Sequence, residues 1–274
     1  MEGTRVRDGD EVIAVVPGST LDHVAFFAED GTSYTMRINE VPASSGYGEP
    51  ITKFFKIADQ VKIIAAETTD ERFLPASMPP AAEGDPDGPY LLTVTSDGMT
   101  LRTPYAAYRA ASTKNGRRYI RLTEGERVVM VRVLGHEESI FLASEDARLI
   151  HFRLDQISLL SGAGKGVVGI RLMDKVNCLG GMLISKARDV MKVEASTGVV
   201  REFRPTSQAL VNRGGRGAEI LKRGRFLKIV AEAVELPDWE SVDAGKNPGD
   251  VLKHPRPKRE PMIGDVEADG AILF

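Results

Sequence analysis

One order of short apolar runs, tight turn and glycine cluster recurs four times along the chain, at a spacing of about fifty residues. In residues 126–175 the runs are Val128-Val129-Met130-Val131, Ile140-Phe141-Leu142-Ala143 and Leu149-Ile150-His151-Phe152. A turn at Asp146-Ala147 separates the last two. The cluster Gly162-Ala163-Gly164-Lys165-Gly166 then leads into Val167-Val168-Gly169-Ile170. Residues 10–59 repeat this order around the turn Asp30-Gly31 and the pair Gly46-Tyr47-Gly48. Turn and cluster stand 15 residues apart in both copies, Gly31 to Gly46 and Ala147 to Gly162. Residues 176–230 form a third copy, with its turn at Thr197-Gly198 and its cluster at Gly214-Gly215-Arg216-Gly217. Residues 60–125 form the fourth, with a turn at Asp97-Gly98, a reduced cluster Lys114-Asn115-Gly116 and a polar insertion over 70–88.

Runs of four to six residues rich in Val, Ile and Phe, bounded by Gly, Asp or Pro, read as strands. The 3.6-residue periodicity of long helices is missing. Four short strands per unit, repeated at this spacing, predict an all-β, propeller-like stack of about four four-stranded blades, because one such sheet cannot bury both of its faces alone. The expected β domain is 1–235, with repeats 10–59, 60–125, 126–175 and 176–230. Its last run, Phe226-Leu227-Lys228-Ile229-Val230, is expected to complete the first blade and close the ring. Residues 236–274 read as a mostly disordered acidic tail.

Charge divides along the same lines. Residues 126–230 hold 18 Lys and Arg against 11 Asp and Glu, whereas 10–125 hold 11 against 16 and 231–274 hold 5 against 10. A basic segment inside a chain of net charge -3 points to a polyanionic partner. Counted from the turns, Arg37, Arg153 and Arg204 share one offset, with Arg102 and Arg201 close by. Lys165, Arg213 and Arg216 stand in the clusters, and Lys222, Arg223 and Arg225 follow. In a repeated geometry, equivalent positions fall on one rim. Arginine offers a planar fork for phosphate oxygens, and glycine lets backbone approach them closely. The expected interface is therefore Arg213, Arg216, Lys165, Arg153, Arg204, Arg201, Arg102, Lys222, Arg223 and Arg225, with Gly214, Gly215 and Gly217 shaping the loop. Contacts of this kind position a backbone without reading bases.

Asn212-Arg213-Gly214-Gly215-Arg216-Gly217 resembles the glycine-rich box of the C-terminal β-pinwheel of bacterial type IIA topoisomerase A subunits, gyrase or topoisomerase IV. Thr95-Ser96-Asp97-Gly98-Met99-Thr100-Leu101-Arg102-Thr103-Pro104 resembles a blade segment of that family, and Glu124-Gly125-Glu126-Arg127-Val128-Val129 its blade-opening segment. The weak first cluster, Ser44-Ser45-Gly46-Tyr47-Gly48-Glu49, makes the likeness closer to the topoisomerase IV type. The resemblance implies a non-catalytic domain that binds and bends duplex DNA beside the catalytic core and B subunit of an ATP-dependent type II topoisomerase, in the bacterial cytoplasm at the nucleoid. A propeller-like scaffold for protein partners, with no DNA role, is the alternative.

Other chemistry finds little footing. Gly162-Ala163-Gly164-Lys165-Gly166 lacks the glycine and the Ser or Thr of a nucleotide-binding loop, with Leu159 and Gly166 at those places. Arg118-Tyr119 has the local look of a cleavage tyrosine but stands where strand residues stand in other copies. Asp8-Gly9-Asp10 and Asp85-Pro86-Asp87 read as loop carboxylates. The four histidines share no pattern, and the lone Cys178 in an apolar run reads as an inert buried thiol. No cofactor or metal is expected. No apolar run approaches the length of a membrane helix, and the N-terminus has no secretory character.

Overall fold

The computed structural model describes residues 6–44, 46–75 and 84–231, and the backbone of 272–273. Three sheets have four antiparallel strands and a fourth has three. Each is built on a hairpin: β2 (His23–Ala28) with β3 (Thr32–Arg37), β5 (Tyr90–Thr95) with β6 (Met99–Pro104), β9 (Ser139–Ser144) with β10 (Arg148–Arg153), and β13 (Met191–Ala195) with β14 (Val200–Phe203). Along the first strand of each hairpin lies a strand from further down the chain: β4 (Ile63–Thr68), β8 (Val128–Val133), β12 (Cys178–Ile184) and β16 (Phe226–Ile229). These four pack on one another in succession and form the inner edge of the stack.

The outer edge is completed by exchange. β7 (Arg117–Arg118) joins β3, β11 (Val167–Val168) joins β6, and β15 (Ala218–Glu219) joins β10. A sheet therefore borrows both edge strands from the following repeat. The run 226–230 does not close the ring on the first sheet. It pairs with β13, because the three other inner strands hold that same place in their own sheets.

Strands enclosed by neighbouring sheets lose the usual in-out alternation. β5 and β9 are buried at every residue, and β2 at all but its first. β13 alternates instead, with Met191, Val193 and Ala195 buried, Lys192 exposed and Glu194 half-buried. Its outer face carries the ion pairs Lys192–Glu202 and Lys228–Glu194, so the fourth sheet ends the stack with a polar face, as terminal repeats do. Ala25, Phe27, Leu91 and Val131 lie in the core between the first and second sheets. Leu92, Val94, Leu142 and Phe152 lie between the second and third, and Phe141, Leu149, Val193 and Phe226 between the third and fourth. Each fully buried Leu or Phe contributes about 1.5–3 kcal/mol relative to exposure. A further cluster covers the outer face of the first sheet, with Phe26, Tyr34 and Phe55 at its centre. Most of the tail, residues 236–271, lies outside the described residues; its end, β17 (Ile272–Leu273), pairs with β1 (Val15–Val16).

Candidate nucleic-acid interface

The outer edge is locked by one glycine per junction. Gly116, Gly166 and Gly217 immediately precede β7, β11 and β15, with φ of +72°, +76° and +72°. A Cβ there would lie 2.7 Å from the Ser33 carbonyl oxygen, 2.3 Å from that of Thr100 and 2.5 Å from that of Leu149. Only glycine combines this left-handed backbone with so close an approach to the receiving strand. The cluster glycine is thus first a requirement of strand exchange. Gly48 of the first cluster has φ +75° but nothing within 4 Å.

Five residues beyond these glycines the chain crosses to the next cluster, again by a fixed contact. The N–H of Arg121 donates to the Gly164 carbonyl at 2.9 Å, and that of Arg171 to Gly215 at 2.8 Å. In the first repeat the N–H of Lys56 donates to the Lys114 carbonyl at 2.8 Å. Beside each acceptor stands a cluster cation: Lys114 itself, Lys165 and Arg216. The three junctions between successive sheets therefore carry the pairs Lys56/Lys114, Arg121/Lys165 and Arg171/Arg216. All six side chains are exposed, and none belongs to an ion pair among the described residues. Arg216 rests against the Met173 sulfur. Of these six, sequence reasoning finds only Lys165 and Arg216. The overlooked signal is the basic residue five places after the last cluster glycine, visible at Arg121, Arg171 and Lys222.

The other expected residues scatter. Arg153 and Arg204, with Arg37, do share one place in the repeat, each directly preceding a one-turn 3-10 helix at the end of the sheet away from its hairpin turn. Both expected members have an acidic neighbour. Arg153 pairs with Asp155 at 2.9 Å, which raises its pKa, and Arg204 pairs with Glu202 at 3.9 Å. Arg201 is exposed on β14, an edge strand of the fourth sheet among the described residues. Lys222, Arg223 and Arg225 are exposed and lead along the opposite end, where Ser196 and Arg225 bond each other through N–H to carbonyl at 2.8 Å and N–H to Oγ at 3.0 Å.

Two expected ligands are structural. Arg102 is 9% exposed, its Nε donates to the Ile157 carbonyl at 2.9 Å, and its guanidinium lies 5.9 Å from the Tyr90 ring centre. Desolvation lowers its pKa. β6 is covered by its neighbours there, so an arginine that looks like rim charge points inward. Arg213 is half-buried; its Nε donates to the Gln156 carbonyl at 2.6 Å and Nη1 to the Val168 carbonyl at 3.1 Å, while its own N–H donates to Gln156 Oε1 at 2.9 Å. It staples the cluster that presents Arg216. Gly214 donates its N–H to the Gly169 carbonyl at 2.7 Å, and the Gly215 carbonyl receives Arg171.

Tyr119 is fully buried, packs edge-on against Phe27 at 5.2 Å, and donates its hydroxyl to the Ala28 carbonyl at 2.7 Å. Burial raises its pKa well above the usual range, which is an environment for a core residue and not a nucleophile. Cys178 is buried, and desolvation pushes its thiol up to about 12. No helix among the described residues is long and apolar enough to cross a membrane.

Stacked, strand-exchanging sheets with cations at each outer junction define a β-pinwheel, a propeller-like repeat domain. Residues 89–134 and 138–180 match the family described as DNA gyrase C-terminal domain, beta-propeller. The chain is 27% identical to the gyrase A protein of Staphylococcus epidermidis over 218 residues, covering 79% of this chain and 23% of that protein. It is 28% identical to the gyrase A protein of Synechocystis over 172 residues, covering 61% of this chain and 18% of that protein. The chain thus spans about a quarter or less of the relatives it matches. In fold it is similar to the C-terminal domain of DNA topoisomerase IV, with a TM-score of 0.73 at 22% identity over 85% of this chain and 70% of that one. The E. coli ParC C-terminal domain gives 0.65 at 18% identity over 83% and 88%. The chain is thus similar in sequence to part of the gyrase A proteins and similar in fold to the C-terminal domains of topoisomerase IV and gyrase A.

Proposed function

We propose that this chain binds duplex DNA along its outer edge and bends it, as a non-catalytic domain of a type IIA topoisomerase A protein that works beside a catalytic core and a B subunit in the bacterial cytoplasm. The observation that carries this reading is the recurrence of one exposed, un-neutralised cation pair at each of three sheet junctions. Sheets stack roughly 10 Å apart, so the pairs recur at least at that interval along one curved edge. Charges fixed this way contact phosphates in sequence and draw the duplex around the stack. Main-chain carbonyls and amides at the junctions are already bonded to each other, which leaves the side chains as the phosphate ligands and makes binding sequence-tolerant. Around Arg153 and Arg204 the carboxylates of Asp155 and Glu202 weaken the attraction for phosphate, so that end of the sheets takes the smaller share of the contact.

Titration of a short linear duplex with the protein at two or more salt concentrations tests the reading. Six phosphate contacts give a slope of log affinity on log salt near about -5. Binding that is absent at low salt, or that does not weaken with salt, removes it.

A further inference from the structure

The third sheet opens, at the end away from its hairpin turn, into a cavity of about 480 Å³ between the turn after β12 and the segment after β14. Small-ligand sites run from roughly 300 to 1,000 Å³. Ser139 and His151, 6% and 4% exposed, form its floor, and Ile184, Pro205 and Leu210 stand around it.

The repeat shows what is missing there. In three sheets the fourth residue of the second hairpin strand ties down the segment that crosses from the next repeat. Thr35 Oγ1 donates to the Tyr108 carbonyl at 2.9 Å, Arg102 Nε to that of Ile157 at 2.9 Å, and His151 Nδ1 to that of Gln208 at 3.0 Å. Beside this tie stands the first residue of the first hairpin strand, which is His23, Tyr90 and Ser139 in turn. In the second sheet the Tyr90 ring fills the space. It is 1% exposed, lies 5.9 Å from the Arg102 guanidinium, and its hydroxyl donates to the Pro86 carbonyl at 2.8 Å. In the third sheet the tie is kept, but a hydroxymethyl group replaces the ring. The covering segment loosens with it: Leu154 and Ile157, buried in the same cluster as Tyr90, correspond to the half-buried Pro205 and Gln208, and Leu210 is 55% exposed.

We infer that this cavity takes a phenol group, from a tyrosine side chain or a small phenolic ligand. The ring occupies the place that Tyr90 fills one sheet earlier, against Ile184, Pro205 and Leu210. Its hydroxyl meets an acceptor. Because His151 Nδ1 donates to a carbonyl, Nε2 of the neutral imidazole accepts, and the Ser139 hydroxyl gives it its hydrogen at 2.9 Å. Ser139 Oγ then has lone pairs but no hydrogen to offer, which suits an entering O–H and disfavours a carbonyl or carboxylate. None of the junction cations lines the cavity, so the inference stands apart from DNA binding.

Titration of the full chain with p-cresol and with the peptide acetyl-Gly-Gly-Tyr-Gly-Gly-amide, followed by amide NMR shifts, tests it. Burial of one ring gives saturable shifts at Lys186, Gln208 and Leu210 with a dissociation constant of about 1–10 mM. Anisole, and the peptide with Phe for Tyr, bind about fivefold more weakly for want of the donor. A peptide that binds as tightly as p-cresol assigns the phenol to a polypeptide, and binding of p-cresol alone assigns it to a small ligand. Ser139→Ala brings p-cresol and anisole to one affinity. Ser139→Tyr restores the filling of the second sheet and abolishes the shifts; should that variant not fold, Leu210→Asp on the exposed rim decides, with binding weakened at least threefold. No saturable shift with either probe, equal affinity of the parent chain for p-cresol and anisole, or parent affinity in Leu210→Asp or in folded Ser139→Tyr each overturn the inference.

Discussion

Gly166→Ala and Gly48→Ala form a matched pair, because both glycines have the same left-handed backbone, φ +76° and +75°. An alanine costs about 1–2 kcal/mol at either place for that conformation alone. At Gly48 nothing else is within 4 Å, so the cost stops there. At Gly166 the new methyl would lie 2.3 Å from the Thr100 oxygen and 2.9 Å from its carbonyl carbon, both backbone atoms of β6. The exchanged strand must lift, and the two-residue pairing of Val167 and Val168 with Thr100 and Met99 weakens or breaks. Two hydrogen bonds at roughly 0.5–1.5 kcal/mol each add about 1–3 kcal/mol. In a thermal melt, at roughly 3 °C per kcal/mol for a chain of this size, Gly48→Ala lowers Tm by about 3–6 °C and Gly166→Ala by about 6–15 °C. Equal losses in the two variants would refute the claim that this glycine is there for strand exchange.

Arg102→Ala lowers stability by about 1–3 kcal/mol in urea unfolding, through the lost bond to the Ile157 carbonyl, and leaves the salt slope of DNA binding unchanged; a shallower slope would return Arg102 to the interface. Glu67, half-buried on the inner strand β4, has its carboxyl lifted to about 7 by desolvation, against the opposing pull of Arg132 and a hydrogen bond from the Val133 backbone. A carboxyl whose pKa is higher folded than unfolded contributes stability that is present at low pH and is lost as pH rises from about 4.5 through about 7. Glu67→Gln accordingly removes a decline in stability between about pH 4.5 and about pH 7, seen by comparing unfolding midpoints with the parent chain; parallel pH profiles would contradict it. Cys178 stays unmodified by iodoacetamide in the native protein under mildly alkaline conditions and reacts once unfolded, and labelling at equal rates in both states would contradict its burial.

The repeat and its punctuation bring most of the architecture into view, since hairpins with an Asp-Gly or Thr-Gly turn are local structures. Strand exchange is not legible. A two-residue strand such as Val167–Val168 has no periodicity of its own, and only the third dimension shows which sheet it joins. For the same reason pattern alone puts Phe226–Ile229 in the wrong sheet, although its place after the last glycine cluster matches that of Val128 and Cys178. The alternation Met191-Lys192-Val193-Glu194-Ala195 does announce a solvated face, in contrast to the unbroken Ile140-Phe141-Leu142-Ala143. Charge is the least legible feature. Counting arginines from the hairpin turn finds residues that share a place, Arg153 and Arg204, but not the nearby Asp155 and Glu202 that pair with them. Arg102 and Arg213 bind main-chain carbonyls, which is a partner that a side-chain pattern does not display. The junction cations need a different origin, the last cluster glycine, because the crossing between repeats is measured from there.

In the proposed interface Lys56, Lys114, Arg121, Lys165, Arg171 and Arg216 hold the phosphates. The salt dependence of duplex binding for Arg171→Ala/Arg216→Ala, set beside Arg223→Ala/Arg225→Ala at the other end of the sheets, tests this directly. The expected slope is shallower by about two for the junction pair, with weaker binding to every duplex sequence, and unchanged for the second pair. A junction double variant that keeps the parent slope, or a slope that falls only when Arg223 and Arg225 are removed, would place the DNA elsewhere on the molecule.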